Sequence, residues 1–207
     1  MPRVITVAKA RKAQGQCGKC SAKIKKGDPY RWWKFNFGSR HVRCMSPACA
    51  PKASDLTRSE FYSRLYEIEE IVSSALDAFR EGGDASDAAS ALTDAAEQLR
   101  ELGSECQEKH DNMPEGLQQG DTGQLLEERA GECDGKADEL ENAASELESF
   151  EVYDSVEDFI AEEGEIKRNE GESDEDYQAR KQKALEEHNE SARDEAASNA
   201  EVDLSIS

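Results

Sequence analysis

The sequence predicts a small α+β module at the N-terminus, then a mainly α-helical body, then an acidic and partly disordered tail. The charge distribution is the first reason. Residues 1–52 contain thirteen Lys and Arg and one acid, Asp28, whereas the other 155 residues contain thirteen Lys and Arg and 45 acids. The second reason is that four of the six cysteines lie inside the basic segment, in a stretch of 33 residues. We therefore divide the chain into residues 1–53, 54–150 and 151–207.

The overall composition limits the class of protein. A chain with 36% hydrophobic, 6% aromatic and 35% charged residues is lean for one large core. No apolar run approaches the roughly 18 residues that span a bilayer, and the N-terminus lacks the apolar stretch of a secretory signal. We expect a cytoplasmic protein that is not secreted and makes no membrane contact.

The cysteine spacing predicts a metal site in the basic module. Cys17-Gly-Lys-Cys20 has the two-residue spacing that turns two thiolates toward one ion, and Cys44 and Cys49 flank a turn at Ser46-Pro47. In an intracellular chain such a cluster indicates metal binding more than disulfides. A module of about 50 residues also needs a stabilising cross-link such as a bound metal, because it buries too little apolar surface to fold easily alone. The sequence thus predicts one structural Zn²⁺.

The fourth zinc ligand has two candidates. Three thiolates with His41 form one set, and Cys17, Cys20, Cys44 and Cys49 form the other. We favour the all-cysteine set, because His41 and Cys44 point to opposite faces of a strand running from Arg40 to Cys44. Either set closes the site with protein ligands, which predicts a structural metal. No phosphate-binding glycine loop and no catalytic triad accompany it, so we predict no enzymatic activity.

The basic residues of the module predict contact with nucleic acid. Between Gly27-Asp28-Pro29 and Gly38-Ser39, the aromatic-rich segment Tyr30 to Phe37 predicts a strand whose side chains alternate between two faces. Trp32 is a candidate for stacking on an unpaired base, and packing in a small core is the alternative. We expect DNA as the partner, with RNA as the alternative. The candidate nucleic-acid-binding residues are Lys9, Arg11, Lys12, Lys19, Lys23, Lys25, Lys26, Arg31, Trp32, Lys34, Arg40 and Arg43.

Several short motifs of the module resemble a known finger. They are Ala8-Lys9-Ala10-Arg11, Cys17-Gly-Lys-Cys20, Ile24-Lys-Lys-Gly27, Tyr30-Arg31 and His41-Val-Arg-Cys44. Together they look like the zinc finger of poly(ADP-ribose) polymerases, a family whose fingers bind DNA breaks through basic and aromatic surfaces. The resemblance covers about the first quarter of the chain, with a shorter stretch between Cys20 and His41 and an extra cysteine, Cys49. The module also looks like those of uncharacterised proteins of bacterial viruses, which would imply the host cell cytoplasm.

The body carries three helical patterns. A stripe of apolar residues from Phe61 to Phe79 predicts a helix over residues 57–80 that ends at Gly82-Gly83. Narrower stripes rich in alanine predict helices over residues 84–109 and 122–150, the latter with heptad spacing. These two helices could form an antiparallel hairpin within one chain or a coiled coil in a homodimer. Cys106 and Cys133 are expected to be core residues.

The last part of the chain is dominated by acids. Glu170 to Asp176 resembles a hinge before a helical stretch from Tyr177 to Ala197, and residues 201–207 are expected to fray. Such a segment can confer solubility, shield the basic module or mimic nucleic acid. The alternative function is therefore a protein-interaction adaptor, in which zinc only folds the module and the acidic helices bind a partner.

Overall fold

The first five elements of the chain are short strands. A computed structural model describes residues 1–164 and 166–206 and divides the chain into two units, Met1–Glu67 and Ile68–Ser207. The strands of the first unit are β1 (Ile5–Val7), β2 (Gly15–Gln16), β3 (Lys23–Ile24), β4 (Tyr30–Lys34) and β5 (Arg40–Cys44). Three of them form an antiparallel sheet in the order β1-β4-β5, and β2 pairs with β3 as a separate antiparallel ribbon.

The register of β4 with β5 assigns every side chain of the pair to a face. Tyr30 lies opposite Cys44, and Trp33 lies opposite His41. Because side chains alternate along a strand, these two pairs lie on opposite faces of the sheet. The Tyr30 face carries the small core of the unit, which contains Ala10, Cys17, Ile24, Tyr30 and Cys49, with Val7, Trp32, Val42 and Cys44 packed against it.

Helices make up most of the remaining chain. The three helices that the sequence predicted over residues 57–80, 84–109 and 122–150 are confirmed, with ends that differ by no more than three residues. A single turn separates the second and third of them, and two further helices follow. The bounds are Glu60–Arg80 for α1, Ala85–Asp111 for α2, Glu115–Gln118 for α3, Asp121–Glu148 for α4, Val156–Glu163 for α5 and Asp174–Asn199 for α6.

Polar side chains cap the N-termini of α1, α2, α5 and α6. The Asp84 carboxylate accepts a hydrogen bond from the Ser86 N–H, and the hydroxyls of Ser155 and Ser173 do the same three residues into α5 and α6. At α1 the Ser59 hydroxyl accepts from the Tyr62 N–H at 3.4 Å. Each cap satisfies a backbone donor that the helix itself leaves without a partner.

In the second unit, α2 and α4 pack as an antiparallel hairpin. Gly103 of α2 approaches Ala130 of α4. Arg100, which comes earlier in α2, pairs with residues that come later in α4, Asp138 at 2.6 Å and Glu141. The two helices therefore run in opposite directions. The predicted stripes form the contact, since Leu92, Leu99 and Leu140 have no exposed surface. One chain thereby buries both stripes.

The C-terminal region contributes buried apolar side chains. Leu185 and Ala197 of α6 are buried, as is Phe159 of α5. After α6, residues 201–206 belong to no helix or strand, and Leu204 and Ile206 are 4% and 7% exposed, where the sequence predicted a frayed end. Across the described residues, no helix combines the length and the apolar character that a bilayer crossing requires.

Candidate metal centre and cationic surface

Four cysteines meet at one point of the first unit. The Sγ atoms of Cys17, Cys20, Cys44 and Cys49 all lie within 4.8 Å of one another, and those of Cys20 and Cys44 are 3.7 Å apart. Tetrahedral ligands at a Zn–S distance of about 2.3 Å lie about 3.8 Å apart. The group is therefore positioned to hold one metal ion.

The loop from Cys17 to Cys20 is shaped by its own backbone. The Ser21 N–H donates to the Cys17 carbonyl at 2.9 Å, and the Cys17 N–H donates to the Ala22 carbonyl at 2.8 Å. This tight turn holds Ser21 in the left-handed region, with φ of 58°. The Gly18 N–H donates to the Val42 carbonyl at 2.9 Å, which fixes the loop against β5.

The other two cysteines lie on either side of a short helical turn. Cys44 is the last residue of β5, and Cys49 ends a 3₁₀ turn, Pro47–Cys49, in which the Cys49 N–H donates to the Ser46 carbonyl at 3.0 Å. The turn brings Cys49 back toward Cys44, as the Ser46-Pro47 sequence suggested. Cys17 and Cys49 are buried, whereas Cys20 is exposed.

The thiols differ in their electrostatic surroundings. Burial raises the pKa of the Cys17 thiol, but backbone N–H groups of Cys20, Cys44 and Lys19 outweigh burial and lower that pKa to about 6. One of these donors, the Cys44 N–H, lies 3.4 Å from the Cys17 Sγ. For Cys49, burial and the three neighbouring thiols raise the pKa to about 12. A cation bound between the sulfurs would supply the positive charge that ionisation of the whole group requires.

His41 lies on the other face of the sheet from the cysteines. Its ring stacks on Trp33, with centroids 5.2 Å apart and planes 10° apart, and meets the edge of Phe35 at 5.7 Å. The imidazole is thus occupied in ring packing, and the group of clustered donor atoms in the described residues is the all-cysteine one.

The predicted cations are mostly exposed. Of the twelve candidate nucleic-acid-binding residues, nine are exposed, and Arg31, Trp32 and Arg43 are half-buried. Eight of the exposed side chains take part in no ion pair with any residue that the structure describes. These eight are Lys9, Arg11, Lys12, Lys19, Lys23, Lys25, Lys26 and Lys34.

Two backbone segments bring six of these cations together. The Ala10 N–H donates to the Asp28 carbonyl at 3.0 Å, the Gly27 N–H donates to the Ala10 carbonyl at 2.9 Å, and the Gln14 N–H donates to the Ile24 carbonyl at 3.0 Å. Residues 9–14 therefore run beside residues 23–28. We call the six cations on these segments the lysine-rich edge: Lys9, Arg11, Lys12, Lys23, Lys25 and Lys26.

The single acid of these two segments, Asp28, forms no ion pair with a described residue and leaves the six cations of the lysine-rich edge with a net positive charge. The Asp28 carboxylate accepts the backbone N–H of Lys25 at 2.7 Å, closing a turn in which Gly27 has φ of 97°. The carboxylate thus stabilises the turn through a backbone hydrogen bond and pairs with none of the neighbouring cationic side chains.

Three predicted arginines and Trp32 are less available than the eight exposed cations. The Arg40 guanidinium lies 4.0 Å from the centre of the Trp32 ring and donates to the Tyr30 hydroxyl at 2.9 Å. This guanidinium covers one face of Trp32, and the side chain also packs against the core of the unit, so Trp32 is poorly placed to stack on a base. Arg43 pairs with Asp55 at 2.9 Å, a partner that the sequence reasoning missed. Arg31 is half-buried, with one guanidinium nitrogen lacking a hydrogen-bond partner among the described residues.

Comparison of the whole chain with protein-family models, with curated proteins and with solved structures gives no match.

Proposed function

We propose that this protein is a nonenzymatic, zinc-dependent nucleic-acid-binding protein that contacts DNA through residues 1–53. The observation that carries this proposal is the set of eight exposed Lys and Arg side chains that pair with no described residue. A solvated surface normally mixes both signs of charge, as the rest of this chain does. Unneutralised cations at this density favour contact with phosphates, which release condensed counterions when they bind.

Zinc has a structural role in this proposal. The four-cysteine group joins the Cys17 loop, the end of β5 and the following turn, so that one ion would tie together three segments of a small unit. Four thiolates form a closed tetrahedral set, which is the arrangement of structural zinc sites. The metal would hold the lysine-rich edge in place without contacting the nucleic acid.

The test is a salt titration of DNA binding by the full-length, zinc-loaded protein. Affinity should fall steeply as salt rises, since the logarithm of the binding constant decreases by about 0.9 per phosphate contact for each unit in the logarithm of salt concentration. In the variant Lys25→Gln/Lys26→Gln, the slope should become shallower by about 2, because two phosphate contacts are lost. Fluorescence anisotropy of a labelled duplex measures both slopes.

The matched control removes two positive charges from the helical unit. Lys181→Gln/Lys183→Gln changes the net charge of the chain by the same amount, in α6. Its slope should equal that of the unmodified protein. Absence of binding at low salt, or equal slopes for the two double variants, would contradict the proposal.

A second candidate function rests on the charge of the helical unit. Residues 68–207 contain 42 Asp and Glu but only eleven Lys and Arg. Such a surface favours a basic protein partner, either as an adaptor or as a mimic of nucleic acid. A protein that ignores DNA at low salt but competes with DNA for a basic partner would favour this candidate over the first.

A further inference from the structure

A pocket of the first unit includes one residue that the sequence singled out, Lys34, and otherwise lies outside that set. It has a volume of about 490 Å³, within the roughly 300–1,000 Å³ of small-molecule sites. Its walls come from the N-terminus, the end of β4 and the loop after it, residues 56–58 and the first two turns of α1. Four aromatic side chains, Phe35, Phe37, Tyr62 and Tyr66, line it together with Lys34 and Arg58.

The aromatic side chains provide flat apolar surfaces. The rings of Tyr62 and Tyr66 lie 28° from parallel, with centroids 6.3 Å apart. Phe37 is 81% exposed, an unusual environment for a large apolar side chain in a unit with so small a core. Exposed aromatic faces beside a cavity suit a planar ligand that stacks on them.

The charge of the pocket selects among planar ligands. Neither Lys34 nor Arg58 forms an ion pair with a residue that the structure describes, and no acid lines the pocket. The Arg58 guanidinium lies 5.0 Å from the centre of the Phe35 ring, so a cation already occupies that aromatic face. A cationic ligand would be repelled, whereas a planar ligand that carries negative charge would be attracted.

Polar groups at the pocket could contact the edge of such a ligand. The Tyr66 hydroxyl has no hydrogen-bond partner within the described part of the chain, and Asn36 adds an amide with donors and an acceptor. The pocket thus offers a contact for three features of a nucleotide. The aromatic rings suit the face of the base, the two cations suit the phosphate, and the hydroxyl and amide suit the edge of the base.

We propose that this pocket binds one unpaired nucleotide of a single-stranded nucleic acid, with its base against Phe37 and the tyrosines and its phosphate against Lys34 and Arg58. In the interior of a duplex, both faces of each base are covered by neighbouring base pairs, so a pocket that takes up a base together with its phosphate requires an unpaired nucleotide. This inference rests on the proposed function and specifies its preferred ligand. The lysine-rich edge would then contact the phosphates of the same nucleic acid.

The experiment compares three ligands on the full-length, zinc-loaded protein. They are a single strand containing 2-aminopurine, a blunt duplex of the same sequence and free thymidine monophosphate. Phe37→Ala should weaken binding of the single strand by about 5- to 150-fold, the effect of losing one stacked base, and leave duplex binding unchanged. It should also abolish the fluorescence change that stacking of 2-aminopurine produces, and Phe37→Trp should restore it.

Ile5→Ala is the matched control, because Ile5 is an exposed apolar residue of the same unit that does not line the pocket. It should leave all affinities unchanged. Equal affinities of Phe37→Ala and the unmodified protein for the single strand would overturn the inference, and so would free nucleotide binding as tight as that of the strand. Salt-sensitive DNA binding that persists in either case would leave the proposed function intact, whereas no binding to any nucleic acid at low salt would defeat both.

Discussion

Cys49 and His41 occupy opposite faces of the same small sheet region. The alternation of side chains along β5 places His41 away from Cys44, and the imidazole stacks on Trp33 instead of approaching the thiols. Cys49 reaches the group because the turn after β5 reverses the chain. His41 lies three residues before Cys44 and Cys49 lies five residues after it. The direction of the strand and the turn that follows it therefore decide between these two candidate ligands.

The first prediction concerns metal content. Cys49→Ser should lose most of the bound zinc, since it replaces one of four soft ligands with a hydroxyl, whereas His41→Ala should retain one zinc per chain. Metal analysis of the purified variants measures both. Cys106→Ser, in a buried cysteine of α2 outside the group, controls for loss of a thiol. Zinc loss in His41→Ala with retention in Cys49→Ser would reverse the assignment.

A second residue-scale feature is the ion pair of Glu172 with Arg180. The Arg180 Nε and Nη2 atoms donate to the two carboxylate oxygens, each at 2.9 Å, and the Asn169 N–H donates to one of them at 2.9 Å. The Arg180 guanidinium, followed by the Asn169 N–H, lowers the pKa of Glu172 to about 2 from its ordinary 4.5. The side chain of Glu172 is only 10% exposed.

The second prediction follows from this pKa. Because folding lowers the pKa, the ionised carboxylate stabilises the fold fully above about pH 4.5, and this contribution is lost as pH falls toward 2. Glu172→Gln should therefore unfold at lower urea concentration than the unmodified protein at pH 7, and the difference should shrink between pH 4.5 and pH 2. Urea titrations at a series of pH values measure it.

Glu190→Gln provides the control for this pair. Glu190 is an exposed carboxylate of α6, the helix that carries Arg180, and its side chain pairs with no described residue. Its urea midpoint should follow that of the unmodified protein at every pH. A constant difference for Glu172→Gln across the pH range would show that the carboxylate contributes only through packing.

At the scale of elements, the contact of α2 with α4 depends on small side chains. A Cβ atom added at Gly103 would lie 3.0 Å from the Cβ of Cys133 and 3.2 Å from the carbonyl oxygen of Ala130. At Gly135, a residue of α4, an added Cβ would meet no atom within 4 Å. Alanine at Gly135 therefore tests helix propensity alone, whereas alanine at Gly103 tests helix propensity together with the packing of α2 against α4.

The third prediction compares alanine at these two positions. Gly135→Ala should raise the free energy of unfolding by about 1 kcal/mol, because alanine favours the helical backbone. Gly103→Ala gains the same propensity but forces the two helices apart, and overpacking typically costs about 1–3 kcal/mol. We expect it to be neutral or destabilising by about 1–2 kcal/mol, measured by urea unfolding. Equal stabilisation by both changes would show that the helix contact tolerates an added methyl group.

The strand β4 shows how an element can use both of its faces. The predicted alternation is present over Tyr30–Lys34, but the strand ends three residues before Phe37, where the sequence predicted its end. In the structure Tyr30 is 6% exposed and Trp33 is 1% exposed, although they lie on opposite faces. The unit therefore uses its large apolar side chains on both sides of the sheet, and the exposed aromatic side chain is Phe37, beyond the end of β4.

At the scale of the whole molecule, the two units differ in charge and in composition. Residues 1–67 contain fifteen Lys and Arg and four acids, whereas residues 68–207 contain eleven Lys and Arg and 42 acids. The only two tryptophans, Trp32 and Trp33, lie in the first unit, and most of the helical residues lie in the second. Two optical signals therefore report on the two units separately.

The fourth prediction uses these signals to follow metal removal. A zinc chelator should shift the tryptophan emission of the full-length protein to longer wavelength, because the first unit unfolds when it loses its metal and exposes Trp33 to water. The far-ultraviolet circular dichroism of the helices should change little, since α2 and α4 bury their apolar stripes against each other. Parallel loss of both signals would show that the units fold as one.

Control of this experiment comes from adding back the metal. Zinc in excess of the chelator should restore the tryptophan emission of the unmodified protein but not that of Cys17→Ser/Cys20→Ser. The double variant should show the emission of the metal-free state from the start.

By itself the sequence determined the features that depend on spacing along the chain. The two-residue gap of Cys17 and Cys20, the heptads of α4 and the apolar stripe of α1 are local patterns, and backbone geometry converts each into one structure. The charge division likewise required only the order of residues. These patterns predicted the class of fold, the helices and the cysteine group.

Only the tertiary structure decided which distant residues meet. The structure decides four such features: Cys49 instead of His41 beside the other cysteines, the position of Asp28 in a turn, the contact of Arg40 with the Trp32 ring, and the pocket between the end of β4 and α1. Each joins segments that sequence spacing alone does not relate. Such contacts depend on how strands pair and how the chain reverses between them, and many sequences satisfy the same local pattern with different pairings. The side chains that pack against one another, and those left exposed and without a charge partner, are fixed only at that level.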